Sequence, residues 1–234
     1  MLGALGRDDR LDPPVTVRRR RGRPDSLYQE TGMTVLGQFR DLDDPDRFVW
    51  LRGFASMETR SRALASFYGG PVWAEHGPQA NDTMIDSDDV LLLRPVSADS
   101  GFTRSPSLRP EAGTPAPDGF VAATVWPSPP GRHDMIALIR DGLLSGLMRT
   151  GPAPLALLTT ETARNTFPRL PVRTGENVAV IVTSYPDEDA HRRHLAALHA
   201  DPRTRDEILP CINRARSAAP RTLRLAPTGR SLIS

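Results

Sequence analysis

A tryptophan and an arginine stand two residues apart in a short apolar run, at a spacing that could place both on one face of a strand. In an extended chain successive side chains alternate, so Trp50 and Arg52 share a face and the aliphatic residues take the other. A flat ring beside a guanidinium suits a flat ligand with a carbonyl or anionic oxygen, and Gln38 on the preceding predicted strand could join it. The alternative is that Trp50 packs the sheet interface and Arg52 pairs with a carboxylate such as Asp41 or Asp43.

His76 is the best candidate for moving a proton, because histidine is the side chain that most readily exchanges one near neutral pH. It follows Trp73 in a segment predicted to be helix or turn, and Trp73 would extend the aromatic wall of the ligand site. The alternative role for His76 is a structural hydrogen bond that ties this segment to the sheet.

The other reactive side chains do not form a recognisable catalytic or metal motif. His191 and His194 stand three residues apart on a predicted helix, but no fixed carboxylate or paired cysteines accompany them, so with His199 they are better explained as helix-surface residues. Cys211 is expected in the core. The sequence contains no nucleophile elbow, phosphate-binding loop or dinucleotide fingerprint. We therefore expect no metal and no cofactor.

These candidates depend on a sheet and a helix to position them. Thr34 to Arg40 and Phe48 to Gly53 are typical of two strands joined as an antiparallel hairpin. Ser56 then predicts the N-cap of a helix, and Gly69-Gly70-Pro71 predicts its end, with glycine in a left-handed cap. Val90 to Leu93 predicts a short closing strand.

The second half of the chain repeats this order. Phe54 corresponds to Tyr185 and Ser56 to Asp187, a constant offset of 131, which suggests a tandem duplication. The order predicted there is β-α-β-β-α-β, the ferredoxin-like plan. The strands are expected at 120–126, 155–161, 177–184 and 222–225, and the helices at 132–148, 187–200 and 205–215.

The first half fits this plan less completely. A first strand at Val15 to Val17 would leave only about a dozen residues before the next strand, which is short for a helical crossover. The first unit is therefore predicted to be truncated at its N-terminal helix. The predicted organisation is a first unit at 1–95, a linker at 96–118 and a second unit at 119–234.

The composition is that of an ordinary folded protein. The 234 residues are 38% hydrophobic and 25% charged, with a net charge of +2 that predicts no strong attraction to polyanions. All basic residues are arginine, which fits a bacterial coding bias, and a single cysteine fits a reducing cytoplasm. No apolar run is long enough for a membrane span. The basic run from Arg18 to Arg23 is better explained as a solvated edge strand or tail than as a nucleic-acid contact.

Three segments carry a family resemblance. At 47–54 (RFVWLRGF), 67–76 (FYGGPVWAEH) and 166–173 (TFPRLPVR) the chain resembles bacterial NIPSNAP-family proteins of the dimeric α/β-barrel superfamily. The resemblance implies an α+β fold in which two ferredoxin-like units close a barrel, as a homodimer or as a pseudodimer within one chain. The superfamily includes cofactor-free oxygenases of aromatic polyketides, heme-dependent enzymes, isomerases and members with no known reaction.

Two functions remain open on this basis. In the first, the protein is a cofactor-independent oxygenase or isomerase of an aromatic or polyketide-like metabolite in secondary metabolism. Trp50, Arg52 and Gln38 would then face the barrel lumen and bind the ligand, and His76 would move a proton. In the second, it is a non-catalytic binding or assembly protein of the same fold. An open, polar lumen would favour the first function, and a lumen filled by side chains would favour the second.

Overall fold

The structure is a computed structural model, and it describes residues 2–6, 32–82, 89–103, 110–111 and 113–234. Its strands are β1 Leu2–Gly6, β2 Met33–Asp41, β3 Arg47–Phe54, β4 Val90–Leu91, β5 Leu93–Pro95, β6 Phe120–Pro127, β7 Ala156–Thr160, β8 Val178–Tyr185 and β9 Arg221–Pro227. The helices are α1 Met57–Gly69, α2 Pro71–Asp82, α3 Asp134–Leu138, α4 Leu144–Thr150, α5 Glu188–Ala200 and α6 Leu209–Ala215. Single π-helical turns, Ile139–Leu143 and Thr204–Ile208, precede α4 and α6.

All nine strands belong to one sheet with the order β4-β1-β3-β2-β9-β6-β8-β7-β5. If the four strands of each half are numbered in chain order (β1 to β4 in the first half and β6 to β9 in the second), they lie side by side in the order 4-1-3-2. This is the ferredoxin-like arrangement. The predicted fold class is therefore confirmed. The two halves join where β2 pairs with β9, through residues such as Phe39 with Pro227.

The sheet closes on itself within a single chain. β4 pairs with β1 at one end of the strand order, and β5 pairs with β7 at the other end. Only Leu92 separates β4 from β5, so this short segment joins both ends of the sheet. The barrel is therefore completed by residues of one chain, and closure of this kind removes the exposed strand edges that would invite pairing with a second copy.

The position of β1 changes one expectation. The strand expected at Val15 to Val17 and the basic run from Arg18 to Arg23 lie outside the described residues. β1 lies at Leu2–Gly6, where the sequence did not predict a strand. β1 ends at residue 6 and β2 begins at residue 33, whereas β6 ends at 127 and β7 begins at 156, so the spacing of the first two strands is similar in both halves. The predicted truncation of the first unit at its N-terminal helix falls on residues outside those described and stays a prediction.

The correspondence between the two halves is residue by residue in their central elements. β3 begins at 47 and β8 at 178, and α1 begins at 57 and α5 at 188, so each pair is separated by the predicted 131 residues. Both helices have the predicted N-cap: Ser56 Oγ accepts from Thr59 N at 3.1 Å, and Asp187 Oδ1 accepts from Ala190 N at 2.6 Å. Whether this reflects an ancestral duplication stays a prediction.

The end of α1 differs from its prediction. Gly70 is the C-cap, but its φ of −83° and ψ of 164° are extended rather than left-handed. A Cβ built there would lie 2.8 Å from the carbonyl oxygen of Ser66, so close approach of the backbone explains the glycine. Pro71 then begins α2, where a missing N–H costs nothing.

The core has an inner and an outer layer on either side of the sheet. The inner layer fills the barrel with aliphatic and aromatic side chains from both halves: Phe39, Val49, Leu51, Leu91, Val121, Ala123, Ala156, Leu158, Val178, Val180, Val182, Leu223 and Leu225. Outside the barrel, α3, α4 and α6 pack on the second half through Met135, Leu147 and Ile212, among others. None of the helices described is both long enough and apolar enough to cross a membrane.

One end of the barrel is covered by the segment that follows β9. Thr228 N donates to Gln38 O at 2.9 Å, and Leu232 N donates to Leu36 O at 3.1 Å, so this segment is held against β2. Ile233 packs on the inner core at this end. The opposite end of the barrel, where β3, β8 and β9 begin, is therefore the one through which a molecule could enter.

Candidate functional site

A bowl opens into the barrel at the end where β3, β8 and β9 begin. Its cavity volume is about 140 Å³, below the roughly 300–1,000 Å³ of pockets for drug-sized ligands, so it suits only a compact molecule. Its floor is apolar and consists of Val49, Leu91, Val125, Pro127, Val178, Ala219 and Leu223. Its rim is charged and consists of Arg47, Asp89, Arg173, Glu176 and Arg221. We refer to this site as the bowl.

Strand register explains why these residues meet. Val125 pairs with Arg221 across β6 and β9, and Ala123 pairs with Leu223 two residues further along. Because side chains alternate along a strand, Arg221 lies on the same inner face as Leu223, at the point where β9 begins. The inner face is thus aliphatic in the middle of the barrel and ends in an arginine at its mouth.

Ion pairs hold most of the rim in place. Arg173 Nη1 lies 3.4 Å from Asp89 Oδ1, and its Nη2 lies 2.6 Å from Glu176 Oε1. The backbone N–H of Arg173 also donates to Val90 O at 2.9 Å, which fixes this residue against β4. The guanidinium therefore forms ion pairs with two carboxylates of the rim at once.

Arg47 is engaged in a similar way on the other side of the mouth. Its Nη1 lies 3.3 Å from Asp41 Oδ2, and its Nη2 lies 3.2 Å from Asp44 Oδ2. Arg221 differs from both, because no hydrogen bond or ion pair joins its exposed side chain to any residue in the described part of the chain. It is the rim cation that is available to a ligand.

The prediction about which strand face lines the lumen is wrong. Val49 and Leu51 belong to the inner core, so Trp50 and Arg52 lie on the outer face of β3, under the helices. Arg52 is only 2% exposed, and its Cζ lies 4.2 Å from the centre of the Trp50 ring. The pairing suggested for Arg52 with Asp41 or Asp43 is not found, because these carboxylates pair with Arg47 and Arg224.

Gln38 is the register partner of Trp50 and lies beside it on the outer face, as the hairpin predicts. Its main chain also joins the covering segment, since Gln38 N donates to Ser231 Oγ at 3.3 Å. Trp73, on α2, packs its ring 4.6 Å from that of Tyr68 and 5.4 Å from that of Phe67. These contacts hold α2 against α1.

His76 also lies on α2, away from the bowl. Its side chain is 39% exposed, and Nε2 lies 3.9 Å from Glu75 Oε1 on the same helix. The structure thus brings together Gln38, Trp50 and Arg52 but places none of the five predicted residues among those that line the bowl. Their ligand-binding and catalytic roles stay predictions.

A long loop from the second half covers the helix layer of the first. Arg60, on α1, is 1% exposed, and its Nη1 donates to Asn165 Oδ1 at 2.9 Å. Burial, followed by the nearby charge of Arg52, lowers the pKa of Arg60. Phe167 and Leu170 of the same loop pack on α1 through Leu64 and its neighbours.

The histidines of α5 are not the surface residues that the sequence suggests. His191 and His194 are 7% and 3% exposed, and only His199 is exposed as expected. Burial is the main cause that lowers the pKa of both, and burial also raises the pKa of Tyr185 to about 12. In the part of the chain that the structure describes, no group of three or more His, Cys, Asp or Glu side chains could hold a metal ion.

The bowl itself was missed by sequence reasoning, although one signal for it was available. Arg221, Leu223 and Leu225 follow strict alternation, which indicates one shared face. That face becomes a binding surface only when the barrel closes and brings β3, β6 and β9 around it.

Comparison with known proteins establishes the fold and not the activity. No protein-family model matches this sequence, and no curated protein matches it significantly. Among solved structures, the chain is similar to an anthrone oxidase-like protein, with 13% identity, 100% of this chain and 94% of that one covered, and a TM-score of 0.53.

Two further similar structures correspond to about half of this chain. A NIPSNAP family protein of Agrobacterium tumefaciens is 12% identical, with 55% of this chain and 95% of that one covered and a TM-score of 0.38. A monooxygenase of Streptomyces coelicolor, in complex with nanaomycin D, is 22% identical, with 50% of this chain and 93% of that one covered and a TM-score of 0.33.

Proposed function

We propose that this protein binds a small, largely apolar molecule in the bowl. The observation that carries the proposal is the combination of an aliphatic floor with a charged rim whose Arg221 is not engaged by the described residues. Apolar surface supplies affinity in such a site, and a few polar groups at its edge fix the orientation of the ligand.

The bowl is better suited to binding than to turnover. Its described lining includes no histidine, cysteine or tyrosine, and its two carboxylates, Asp89 and Glu176, are both paired with Arg173. The middle of the lumen is filled by side chains such as Phe39 and Val180. These features favour the non-catalytic binding protein of the two functions considered from the sequence.

A cofactor-independent oxygenase or isomerase of an aromatic or polyketide-like molecule is the second candidate. Its support is the similarity over the whole chain to an anthrone oxidase-like protein. In this proposal the chemistry lies outside the barrel, where Trp50 and Arg52 are stacked and His76 is the proton-transfer group. Turnover that is lost in a folded His76→Ala variant would support it.

A thermal-shift screen with small aromatic acids, quinols and polyketide-like phenols tests the binding proposal. A ligand that binds only the folded state raises the unfolding midpoint. The matched variants are Ala219→Trp, which puts an indole into the bowl, and Ala218→Trp, which changes the neighbouring exposed residue outside the lining. We expect the shift to disappear in Ala219→Trp and to persist in Ala218→Trp, and an equal shift in both variants would contradict the proposal.

The proposed site is complete within one chain. Both halves contribute to it, with Val49 from β3 and Leu223 from β9, and the strands that carry them belong to the same closed sheet. We therefore propose that a pseudodimer within the chain is sufficient and that ligand affinity does not depend on protein concentration. Affinity that rises with formation of a homodimer, measured by sedimentation in parallel with binding, would argue for the intermolecular alternative.

A further inference from the structure

The charges on the rim of the bowl are unevenly engaged. Asp89 and Glu176 share one cation, Arg173, and Arg47 is held by Asp41 and Asp44, which do not line the bowl. Counting the lining residues alone, three arginines face two carboxylates. Arg173 and Arg47 each have two carboxylate partners, whereas Arg221 has none among the described residues, so Arg221 is the lining arginine whose charge is not already paired.

The position of Arg221 defines where an anionic group of a ligand would lie. Its neighbours on the inner face are Val125, its partner across β6, and Leu223, two residues along β9, and both belong to the apolar floor. A molecule whose ring contacts these two side chains therefore carries its substituent towards the guanidinium. A guanidinium presents parallel N–H donors that match the two oxygens of a carboxylate.

We propose that the bowl selects a compact aromatic carboxylate, with its ring on the aliphatic floor and its carboxylate bound by Arg221. This inference rests on the proposed function, because it assigns a ligand class to the same bowl. In this proposal Arg221 is the residue that determines specificity, and the protein binds acids more tightly than their uncharged analogues.

The size of the preference for an acid over its neutral analogue depends on the position of Arg221 at the mouth of the bowl. A fully exposed ion pair contributes little, whereas a hydrogen bond to a charged group away from water contributes more. Arg221 is exposed in the protein alone, and a ligand ring on the floor beside it would exclude part of the surrounding water, so we expect roughly a tenfold preference for the acid, between these two limits. Because the attraction acts between charges near solvent, added salt should reduce it.

The test uses 2-naphthoate and its neutral analogue 2-naphthamide as probes of the whole protein, with dissociation constants measured by calorimetry. The variant is Arg221→Gln, which removes the charge and keeps a polar side chain. The control is Arg193→Gln, which makes the same change at an exposed position on α5 that does not line the bowl. Circular dichroism confirms that each variant is folded.

The expected result is about tenfold tighter binding of 2-naphthoate than of 2-naphthamide by the parent and by Arg193→Gln, and equal binding of both by Arg221→Gln. The advantage of the acid should shrink between low and high salt. Equal binding of both probes by the parent would overturn the carboxylate inference and leave the binding function standing. Binding of neither probe would contradict both.

Discussion

Tyr185 Oη lies 2.8 Å from His194 Nδ1, and the other ring nitrogen of His194 lies 3.0 Å from Leu147 O. A carbonyl oxygen can only accept, so Nε2 carries a proton, and in the neutral imidazole Nδ1 accepts from the tyrosine hydroxyl. These two bonds join β8, α5 and α4, so His194 links three elements of the outer layer of the second half.

Stability should fall as the pH is lowered. The pKa of His191 and His194 is lowered in the folded protein, mainly by burial, so below the usual histidine pKa of about 6.5 the unfolded chain binds more protons than the folded one. Stability is then fully present above this pH and is lost as the pH drops towards the folded values, by up to about 1.4 kcal/mol per pH unit for each histidine. Urea unfolding from pH 8 to pH 5 measures this slope.

The exposed His199 provides the control for this prediction. The slope should be unchanged in His199→Gln and smaller in His194→Gln, provided that the variant folds. A slope that is the same in all three proteins would show that the buried histidines do not cause it.

Asn165 holds the loop between β7 and β8 on the first half of the chain. Its Oδ1 accepts from Arg60 Nη1 at 2.9 Å and from Phe167 N at 3.0 Å, and its Nδ2 donates to Leu170 O at 2.9 Å. Asn165→Ala removes all three bonds, and we expect it to destabilise the protein by about 2–4 kcal/mol in urea unfolding.

The matched control is Asn213→Ala, at an exposed asparagine that accepts from Arg216 Nε at 2.8 Å. It should change the free energy of unfolding by less than about 0.5 kcal/mol. If the two alanine variants are equally stable, the loop does not contribute to holding the two halves together.

Leu64 and Leu195 occupy equivalent positions of the two halves but differ in burial. Leu64 is fully buried beneath Phe167 and Leu170, whereas Leu195 is 38% exposed. Leu64→Ala should therefore cost about 2–5 kcal/mol, and Leu195→Ala less than about 1 kcal/mol. Denaturant unfolding measures both losses, and similar losses at the two positions would contradict the prediction that burial beneath the loop makes Leu64 the more important residue.

Local sequence patterns were sufficient to predict most of the elements. The N-cap at Ser56, its counterpart Asp187 and the offset of 131 depend on neighbouring residues and a repeated spacing, and the structure has all three. The strand at Leu2–Gly6 was not predicted, because a short run with two glycines has little strand character of its own. Its place is fixed by pairing with β3 and β4.

The sequence could not show which face of β3 points into the barrel. In a closed barrel covered by helices both faces of β3 are buried, so polarity does not show which face is inside. Arg52 is as buried under the helices as Leu51 is within the barrel. The binding role proposed for Arg221 also depends on closure of the barrel, because in the sequence alone it is an ordinary arginine after a proline.

Backbone amide NMR of the labelled protein during titration with 2-naphthoate tests most directly whether the bowl is the binding site. If the bowl is the binding site, the largest shifts should lie at its floor and rim, at Val49, Val125, Val178, Arg221 and Leu223. Shifts that cluster instead at Trp50, Arg52, Trp73 and His76 would place the site on the outer face of the first half and contradict the central claim.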